Sequence, residues 1–225
     1  MIPSCRFGQT ALRVIRSRLL PVILMSLLIA ACTPALLQRA DSPTEHTYFL
    51  EWEGEGNAPQ APASGPDLLV SPMLAAPGFD GSEMAYVRTP HEIEYFAHHR
   101  WVDAPARMLE PLLLRAAEQT GLFHSVVAPG SSADVELRLD SRLVHLRQLY
   151  RSGSGEIQLA VRLVLVEMAS GRVLGERVIE VNEPLQDFTP YNGVQAANRA
   201  VASLMSGTQD FLAAQLKSRQ GMRSR

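Results

Sequence analysis

Cysteine is nearly absent from this sequence, since Cys5 and Cys32 are the only two among its 225 residues. Neither belongs to a paired CxxC motif, which excludes a zinc ribbon or a dithiol redox site of that kind. The P-loop, the dinucleotide-binding glycine fingerprint, the HExxH motif and the nucleophile elbow are also missing. We therefore expect no catalytic residue, no metal and no cofactor. We also expect a fold that is stabilised by packing rather than by disulfides.

The sequence also lacks an apolar run long enough to span a bilayer. Residues 19–29 are about half of the roughly 20 residues that a transmembrane helix needs. Four arginines precede this run, and Ile29-Ala30-Ala31-Cys32 follows as a small-residue cleavage motif. That order is typical of a secretory signal, and a cysteine after the cut is typical of bacterial lipoproteins. We predict a signal peptide at residues 1–31, cleavage between Ala31 and Cys32, and acylation of Cys32. The alternative is an ordinary secreted protein with a cysteine near the cut.

Cys32 decides the expected location. One acyl chain holds a protein only marginally, whereas the several chains of a lipoprotein make a durable anchor in the lipid membrane. Thr33, rather than an aspartate, follows Cys32, and the sorting rule of enteric-type lipoproteins then favours the outer membrane. We expect a cell-envelope protein anchored at the outer membrane and facing the periplasm.

Positive charge is not in excess. Without residues 1–31 the chain has seventeen basic and twenty-three acidic residues, a formal charge of −6. Nucleic-acid binders usually show a basic stripe and a high isoelectric point. We therefore expect no nucleic-acid partner.

The remaining chain divides by composition. Residues 32–46 are mostly polar and predict a flexible tether. Residues 53–66 are rich in proline and glycine and predict a flexible loop within one folded domain at residues 47–217. The final residues, 218–225, predict a basic tail.

Hydrophobic periodicity predicts the elements of this domain. Alternation from Asp134 onward changes phase near Val144, which predicts a β-bulge at residues 141–143. We expect a helix between Asp103 as N-cap and Gly121 as terminator, with the regular part beginning near Met108 because Pro111 removes a hydrogen bond. The other predicted elements are strands at 46–52, 67–72, 83–88, 157–165 and 173–181, and a long helix after Pro190. The expected fold is α+β, an antiparallel sheet with a meander of long strands and two helices on one face.

An aromatic segment precedes the first helix. Tyr95, Phe96, Arg100 and Trp101 are residue types that anchor protein interfaces. They predict either a core plug beneath the sheet edge or a contact patch for a partner, and solvent exposure distinguishes the two. The adjacent His98 and His99 favour a solvated pair over a metal site.

Several segments, in order, resemble one family. They are Met84-Ala-Tyr-Val-Arg88, Glu94-Tyr-Phe-Ala-His-His-Arg-Trp101, Pro105 with Leu109 and Leu113, Asp134-Val-Glu-Leu, Ala169-Ser-Gly171-Arg-Val-Leu and Val194-Gln-Ala-Ala-Asn198-Arg-Ala200. Behind the predicted lipidation site, this series resembles the auxiliary lipoproteins of ABC-type transport systems, of the paraquat-inducible C type. This chain differs from the family pattern in the proline-rich insertion at 53–66 and in Pro111 within the first helix.

The resemblance implies a non-enzymatic subunit of an MCE-type lipid transport system. Its implied partners are an MCE-domain periplasmic protein and the ABC permease and ATPase of the same system. Pairing of sheet edges would also allow a homo-oligomer. The alternative is an outer-membrane assembly lipoprotein of the kind that plugs the lipopolysaccharide translocon. A third option, a lipid-anchored periplasmic hydrolase, requires a pocket that holds a nucleophile beside a base.

Overall fold

The computed structural model describes residues 44–54, 65–130, 135–151 and 153–223. The predicted signal peptide, Ala31, Cys32, most of the tether and residues 55–64 of the predicted loop lie outside the described residues. From Glu45 onward the chain forms one compact unit. Within the described residues there are nine strands and two helices, namely β1 (His46–Tyr48), β2 (Asp67–Val70), β3 (Leu74–Ala75), β4 (Glu83–Val87), β5 (Glu94–Trp101), α1 (Pro105–Gln119), β6 (Ser125–Val127), β7 (Leu137–Arg151), β8 (Ser154–Glu167), β9 (Arg172–Pro184) and α2 (Pro190–Arg223).

Strand β7 is the centre of the sheet. One of its edges pairs with β8, and β8 pairs with β9, which gives the predicted antiparallel meander. The other edge takes three short strands in turn: β2 at Leu137–Leu139, β3 at Arg142–Leu143 and β4 at Arg147–Leu149, all parallel to β7. Strand β6 extends the sheet from β2, while β5 and then β1 extend it from β4. The α+β class and the mainly antiparallel sheet are confirmed, and the short N-terminal strands make the sheet mixed.

The predicted bulge in β7 is confirmed, one position beyond the predicted range. The register with β8 shifts between Leu143 and His145, so that Val144 is the extra residue. Leu139 and Leu143 are buried before the shift, whereas Leu146 is buried after it. The extra residue lets the strand keep its apolar side chains on one face although their spacing in the sequence changes.

Helix α1 begins at Pro105, so the predicted start near Met108 is wrong. Pro111 and Arg107, whose carbonyl the missing N–H of Pro111 leaves without its helical partner, are both exposed residues, so the helix tolerates the proline on its solvent-facing side. Asp103 is not the N-cap, because Ala104 occupies that position; its carboxylate instead accepts a hydrogen bond from the Ala104 N–H at 2.7 Å and pairs with Arg107. These two contacts, with Arg107 first, lower the pKa of Asp103 to about 2.

Both helices cover the same face of the sheet, and one core joins them to it. The predicted apolar stripe of α2 is buried throughout from Val194 to Leu212. Helix α2 continues to Arg223, so residues 218–223 of the predicted tail are helical. The largest fully buried side chains are Phe211, Leu68, Leu109, Leu113, Leu137, Leu139, Leu143, Ile157, Leu159, Leu163, Leu165 and Leu204.

Candidate partner-docking site

A chain of aromatic rings crosses one end of the sheet, beside the first turn of α2. Each ring lies within 6.4 Å of the next, measured between centroids. We call this set the aromatic strip; its members are His46, Tyr48, His99, Phe96, Tyr86, Tyr150 and Phe188. Pairs of rings at such separations add a modest stabilisation beyond their buried area. The strip is therefore ordered enough to present a fixed surface.

Sheet pairing brings these rings together from distant parts of the sequence. The parallel register of β1 with β5 sets His46 beside His99 and Tyr48 beside Trp101. In the same way, β4 sets Tyr86 beside Gln148 of β7, two residues before Tyr150. Residues at alternate positions of a strand share a face. The strip therefore lies on the face of the sheet that the helices also occupy.

The four residues of the predicted contact patch do not share one environment. Trp101 is 3% exposed and belongs to the core, whereas Tyr95 is 44% exposed. Phe96 is half-buried and forms part of the aromatic strip, with its ring 4.5 Å from that of Tyr86. Arg100 is exposed and forms an ion pair with Glu45. The core interpretation therefore fits Trp101, and exposure leaves the other three able to meet a partner.

A cleft opens at one end of the strip, between β1 and the start of α2. It has a volume of about 420 Å³, and its walls include Tyr48, Phe49, Tyr191 and Asn198. Phe49 and Tyr191 are 58% and 57% exposed. The amide of Asn198 fixes the β1 side by accepting a hydrogen bond from the Glu51 N–H at 3.0 Å. We call this feature the β1 cleft.

A second groove, of about 390 Å³, lies at the other end of the strip. It is lined by four rings and two guanidinium groups, which are Tyr86, Phe96, Tyr150, Phe188, Arg88 and Arg151. Arg88 is held in place by Glu94, which accepts hydrogen bonds from its Nε and from one Nη, and its guanidinium lies 5.2 Å from the centre of the Tyr86 ring. We call this feature the arginine groove.

A buried amide supports the floor of the arginine groove. Gln148 is 1% exposed; its Oε1 accepts a hydrogen bond from the Tyr150 hydroxyl, and its Nε2 donates to the Pro190 carbonyl at 3.5 Å. Burial raises the pKa of Tyr150 to about 12, so that this phenol remains a donor. A Cβ on Gly193 would lie 1.9 Å from Nε2 of Gln148, so any larger residue there would force the buried amide to move. This contact fixes the start of α2 against β7.

The histidines of β5 do not assemble a metal site. Neighbouring strand residues point to opposite faces, and only His99 joins the aromatic strip, where its Nδ1 is 3.1 Å from the Tyr48 hydroxyl. Burial, with His46 and His98 nearby, lowers the pKa of His99 below its ordinary value of 6.5. Across the described ranges, no group of three or more His, Cys, Asp or Glu residues could hold a metal ion.

Local sequence indicates no site for two of the rings, Tyr150 and Phe188, which lie on β7 and in the segment before α2. Tyr86 lies on β4 within the family-like segment Met84–Arg88, but nothing in that segment predicts its contact with the other two. Only the pairing of β4 with the far end of β7 unites them. What the site offers chemically is apolar stacking area beside cations, which suits binding rather than bond cleavage.

Comparison with solved structures supports the fold. A crystal structure of a protein from Xanthomonas campestris aligns with a TM-score of 0.67 and 17% identity, over 79% of this chain and 99% of that one. A second crystal structure, of an uncharacterized protein, gives 0.58 and 13%, over 75% and 99%. The PelC dodecamer of Paraburkholderia phytofirmans reaches a TM-score of only 0.40 at 17% identity, over 68% and 95%, which is too low to bear on assembly.

Among curated proteins, none matches the sequence. In the part of the chain that the structure describes, no helix is long and apolar enough to cross a membrane. The sequence model of one protein family, the ABC-type transport auxiliary lipoprotein component, matches residues 48–207. These residues run from β1 into α2 and include every ring of the aromatic strip except His46. The chain therefore belongs to the family of ABC-type transport auxiliary lipoproteins.

Proposed function

We propose that this protein is a non-catalytic, outer-membrane-anchored subunit of an MCE-type lipid transport system. In this role acylated Cys32 holds it in the membrane, and the folded domain docks or stabilises the periplasmic MCE component. Family membership supports the link to an ABC transporter. The permease and ATPase of the same system would supply the energy of transport.

The observation that carries the docking role is the exposed aromatic surface around β5 and β1. Tyr95 and Arg100 are exposed on β5, and Phe49 is exposed at the neighbouring β1 cleft. Tyrosine, phenylalanine and arginine are enriched where protein interfaces form, because they combine large contact area with hydrogen bonding. Strand β1 is also a sheet edge within the described residues, and an edge strand can accept a partner strand.

The proposal of a non-catalytic role is supported by the lining of the two clefts. Neither the β1 cleft nor the arginine groove places a serine, threonine or cysteine beside a histidine base among the described residues. Among the residues that the structure describes, Thr47 is the one serine, threonine or cysteine in either lining. A nucleophile needs such a base within hydrogen-bond reach.

Site-specific photocrosslinking in cells tests the docking surface. A photoreactive residue is placed at Phe49, Tyr95 or Arg100, and matched controls carry it at Met168 and Val173, which are 40% and 54% exposed at the opposite end of the sheet. We expect the first three positions, and not the controls, to crosslink an MCE-domain protein that also copurifies from membranes.

Other crosslinking results decide between the candidate functions. Capture of a β-barrel protein from the same positions would favour the outer-membrane assembly role instead. Equal capture from test and control positions would reject this docking surface, and no MCE partner from any position would reject the proposed function. Replacing Cys32 with serine tests the anchor separately: we expect loss of acylation and release from the outer-membrane fraction.

A further inference from the structure

The arginine groove combines features that the proposed docking surface does not use. Phe188 is 55% exposed, and Tyr86, Phe96 and Tyr150 form the remaining rings. Its volume of about 390 Å³ is at the lower end of the range for small-molecule sites. Such a space suits the polar head of an amphiphile and the first part of a chain.

The cations at this groove retain free hydrogen-bonding capacity. A guanidinium has five N–H donors. Arg88 directs its Nε and one Nη towards Glu94 and Tyr86, and its other Nη has no hydrogen-bond partner within the described part of the chain. Within the described ranges Arg151 has neither an ion pair nor a hydrogen bond from its side chain. Arg151 is therefore the main candidate to bind an incoming anion.

A second cleft shares Arg88 and Arg151 with the arginine groove. It has a volume of about 400 Å³, and it adds Arg147 and His91 to the lining. Arg147 donates to Oε1 of Gln158 and has no acidic partner among the described residues. The described linings of both clefts include no carboxylate, although Glu92, Glu94 and Glu156 lie in the vicinity. Arg88 and Arg151 therefore border both clefts; Glu94 pairs with Arg88, so Arg151 is the cation whose charge is not compensated by an ion pair among the described residues.

We propose that the arginine groove binds one anionic phospholipid molecule. Its phosphate lies between Arg88 and Arg151, and the beginning of an acyl chain lies across Tyr86, Phe96 and Phe188. Guanidinium groups form strong, charge-assisted hydrogen bonds with phosphate, while the rings remove apolar surface from water. Neither the arginines nor the rings alone would select this ligand, because a free anion would not contact the rings and a lipid without net charge would not need both arginines. This inference rests on the proposed role in lipid transport and adds direct contact with a lipid.

Photolabelling of the full chain, purified from membranes in a non-ionic detergent, tests the groove. The probe is a short-chain phosphatidylglycerol with a photoreactive acyl chain, and the comparison probe is the matching phosphatidylcholine. We expect phosphatidylglycerol to label peptides from β4, β5 or the segment around Phe188. We expect at least about tenfold weaker labelling with phosphatidylcholine, because the net negative charge of the ligand is then missing.

Variants make the assignment specific. Arg151→Ala and Phe188→Ala should each weaken phosphatidylglycerol labelling by about tenfold, because one removes a charge-assisted hydrogen bond and the other an apolar wall. The controls are Arg177→Ala and Val173→Ala, which change one exposed arginine and one exposed apolar residue outside both clefts. They should label like the unchanged protein. Circular dichroism confirms that all four variants are folded.

Four results would overturn the proposal: equal labelling by the two lipids, labelled peptides elsewhere in the chain, unchanged labelling in both test variants, or complete competition by glycerol phosphate at the concentration of the lipid. The last result would indicate a soluble phosphate ligand. Failure here is distinguishable from failure of the docking role, because capture of the MCE protein from Phe49 or Tyr95 does not depend on Arg151.

Discussion

The two ends of the sheet beneath α2 differ in the burial and ion pairing of an arginine. At the end near the last turns of α2, Arg219 is buried, and its Nη atoms lie 3.2 Å from Glu136 and 3.4 Å from Glu167. At the end near the first turn, Arg151 has no acidic partner among the described residues and lies beside the exposed ring of Phe188 and three half-buried rings. We call these the closed end and the open end.

This difference separates what holds the fold together from what remains available for binding. The closed end pairs its cation internally through the two Nη atoms, since a buried charge is costly unless it is paired, although the Nε of Arg219 has no hydrogen-bond partner among the described residues. The open end leaves cations and aromatic surface facing water, an arrangement that contributes little to stability and is typical of binding sites. The open end is therefore the part of the domain in which substitutions should impair binding without unfolding the protein.

The largest predicted difference in stability is between variants of two residues of β5, at the open end. Trp101→Ala should lower the free energy of unfolding by about 4 kcal/mol, because it opens a cavity in the core. Tyr95→Ala should change it by less than about 1 kcal/mol, since Tyr95 is largely exposed. Urea unfolding of the two variants provides the measurement. Equal losses would show that β5 is not divided into a core face and a contact face.

A smaller effect is expected where α2 meets β7. Gly193→Ala should cost about 2 kcal/mol, because the added Cβ clashes with the buried amide of Gln148. Gln148→Ala removes that amide, and the double variant should lose less stability than the sum of the two single losses. A double-mutant cycle measured by urea unfolding gives this coupling. Additive losses would show that the two residues do not compete for the same space.

The two ends should respond to acid in different pH ranges. The pKa of His99 is lowered, so its contribution to stability is present above about pH 6.5 and is lost as the pH falls through the folded-state pKa. The pKa of Glu167 is lowered below 4.5 by the Ser170 hydroxyl, with Arg172 and Arg219 contributing. Its contribution is lost only below that value.

Matched variants assign these two steps. In unfolding free energies measured from pH 8 to pH 3, His99→Phe should reduce the first loss and leave the second; the rest of the first loss belongs to His145, whose pKa is also lowered by burial. Glu167→Gln should reduce the second loss and leave the first, because glutamine keeps the shape of the side chain without the charge; Glu94 and Asp103, whose pKa values are lowered by Arg88 and Arg107, account for the rest. If His99→Phe leaves the slope between pH 7 and pH 5 unchanged, the burial of this imidazole does not control the open end.

The smallest stability effect is expected at the arginine groove itself. Arg151→Ala and Phe188→Ala should each change the unfolding free energy by no more than about 0.5 kcal/mol, because both side chains are exposed. The control is Leu163→Ala in the core, which should cost about 3 kcal/mol. Loss of more than about 1.5 kcal/mol at Arg151 would mean that the open end, too, is structural.

The sequence predicted the parts of the fold in which local pattern and burial agree. The change of phase at Val144 locates the bulge to within one residue, and the stripe from Val194 to Leu212 gives the long helix. The start of α1 was predicted wrongly because the cost of Pro111 depends on whether the freed carbonyl meets water. That exposure follows from packing and cannot be derived from the spacing of residues.

The candidate site was only partly predictable for a related reason. Tyr95, Phe96, Arg100 and Trp101 form one short segment, and their residue types predict an interface, but their division between core and surface depends on the faces of β5. The arginine groove depends on parallel pairing between β4 and β7 across about sixty residues of chain, and no local pattern records such a pairing.

The serial pairing along β7 has a consequence for the order of assembly. Strands β2, β3 and β4 all hydrogen-bond to a strand that follows them in the chain. During synthesis these three strands therefore cannot take their places beside β7 until Leu137–Arg151 arrives, although β4 can pair with β5, and β2 with β6, before then. Closing such distant pairs is slow compared with forming the hairpin of β7 with β8. The parallel contacts of β2, β3 and β4 with β7 should thus form later than the hairpin of β7 with β8.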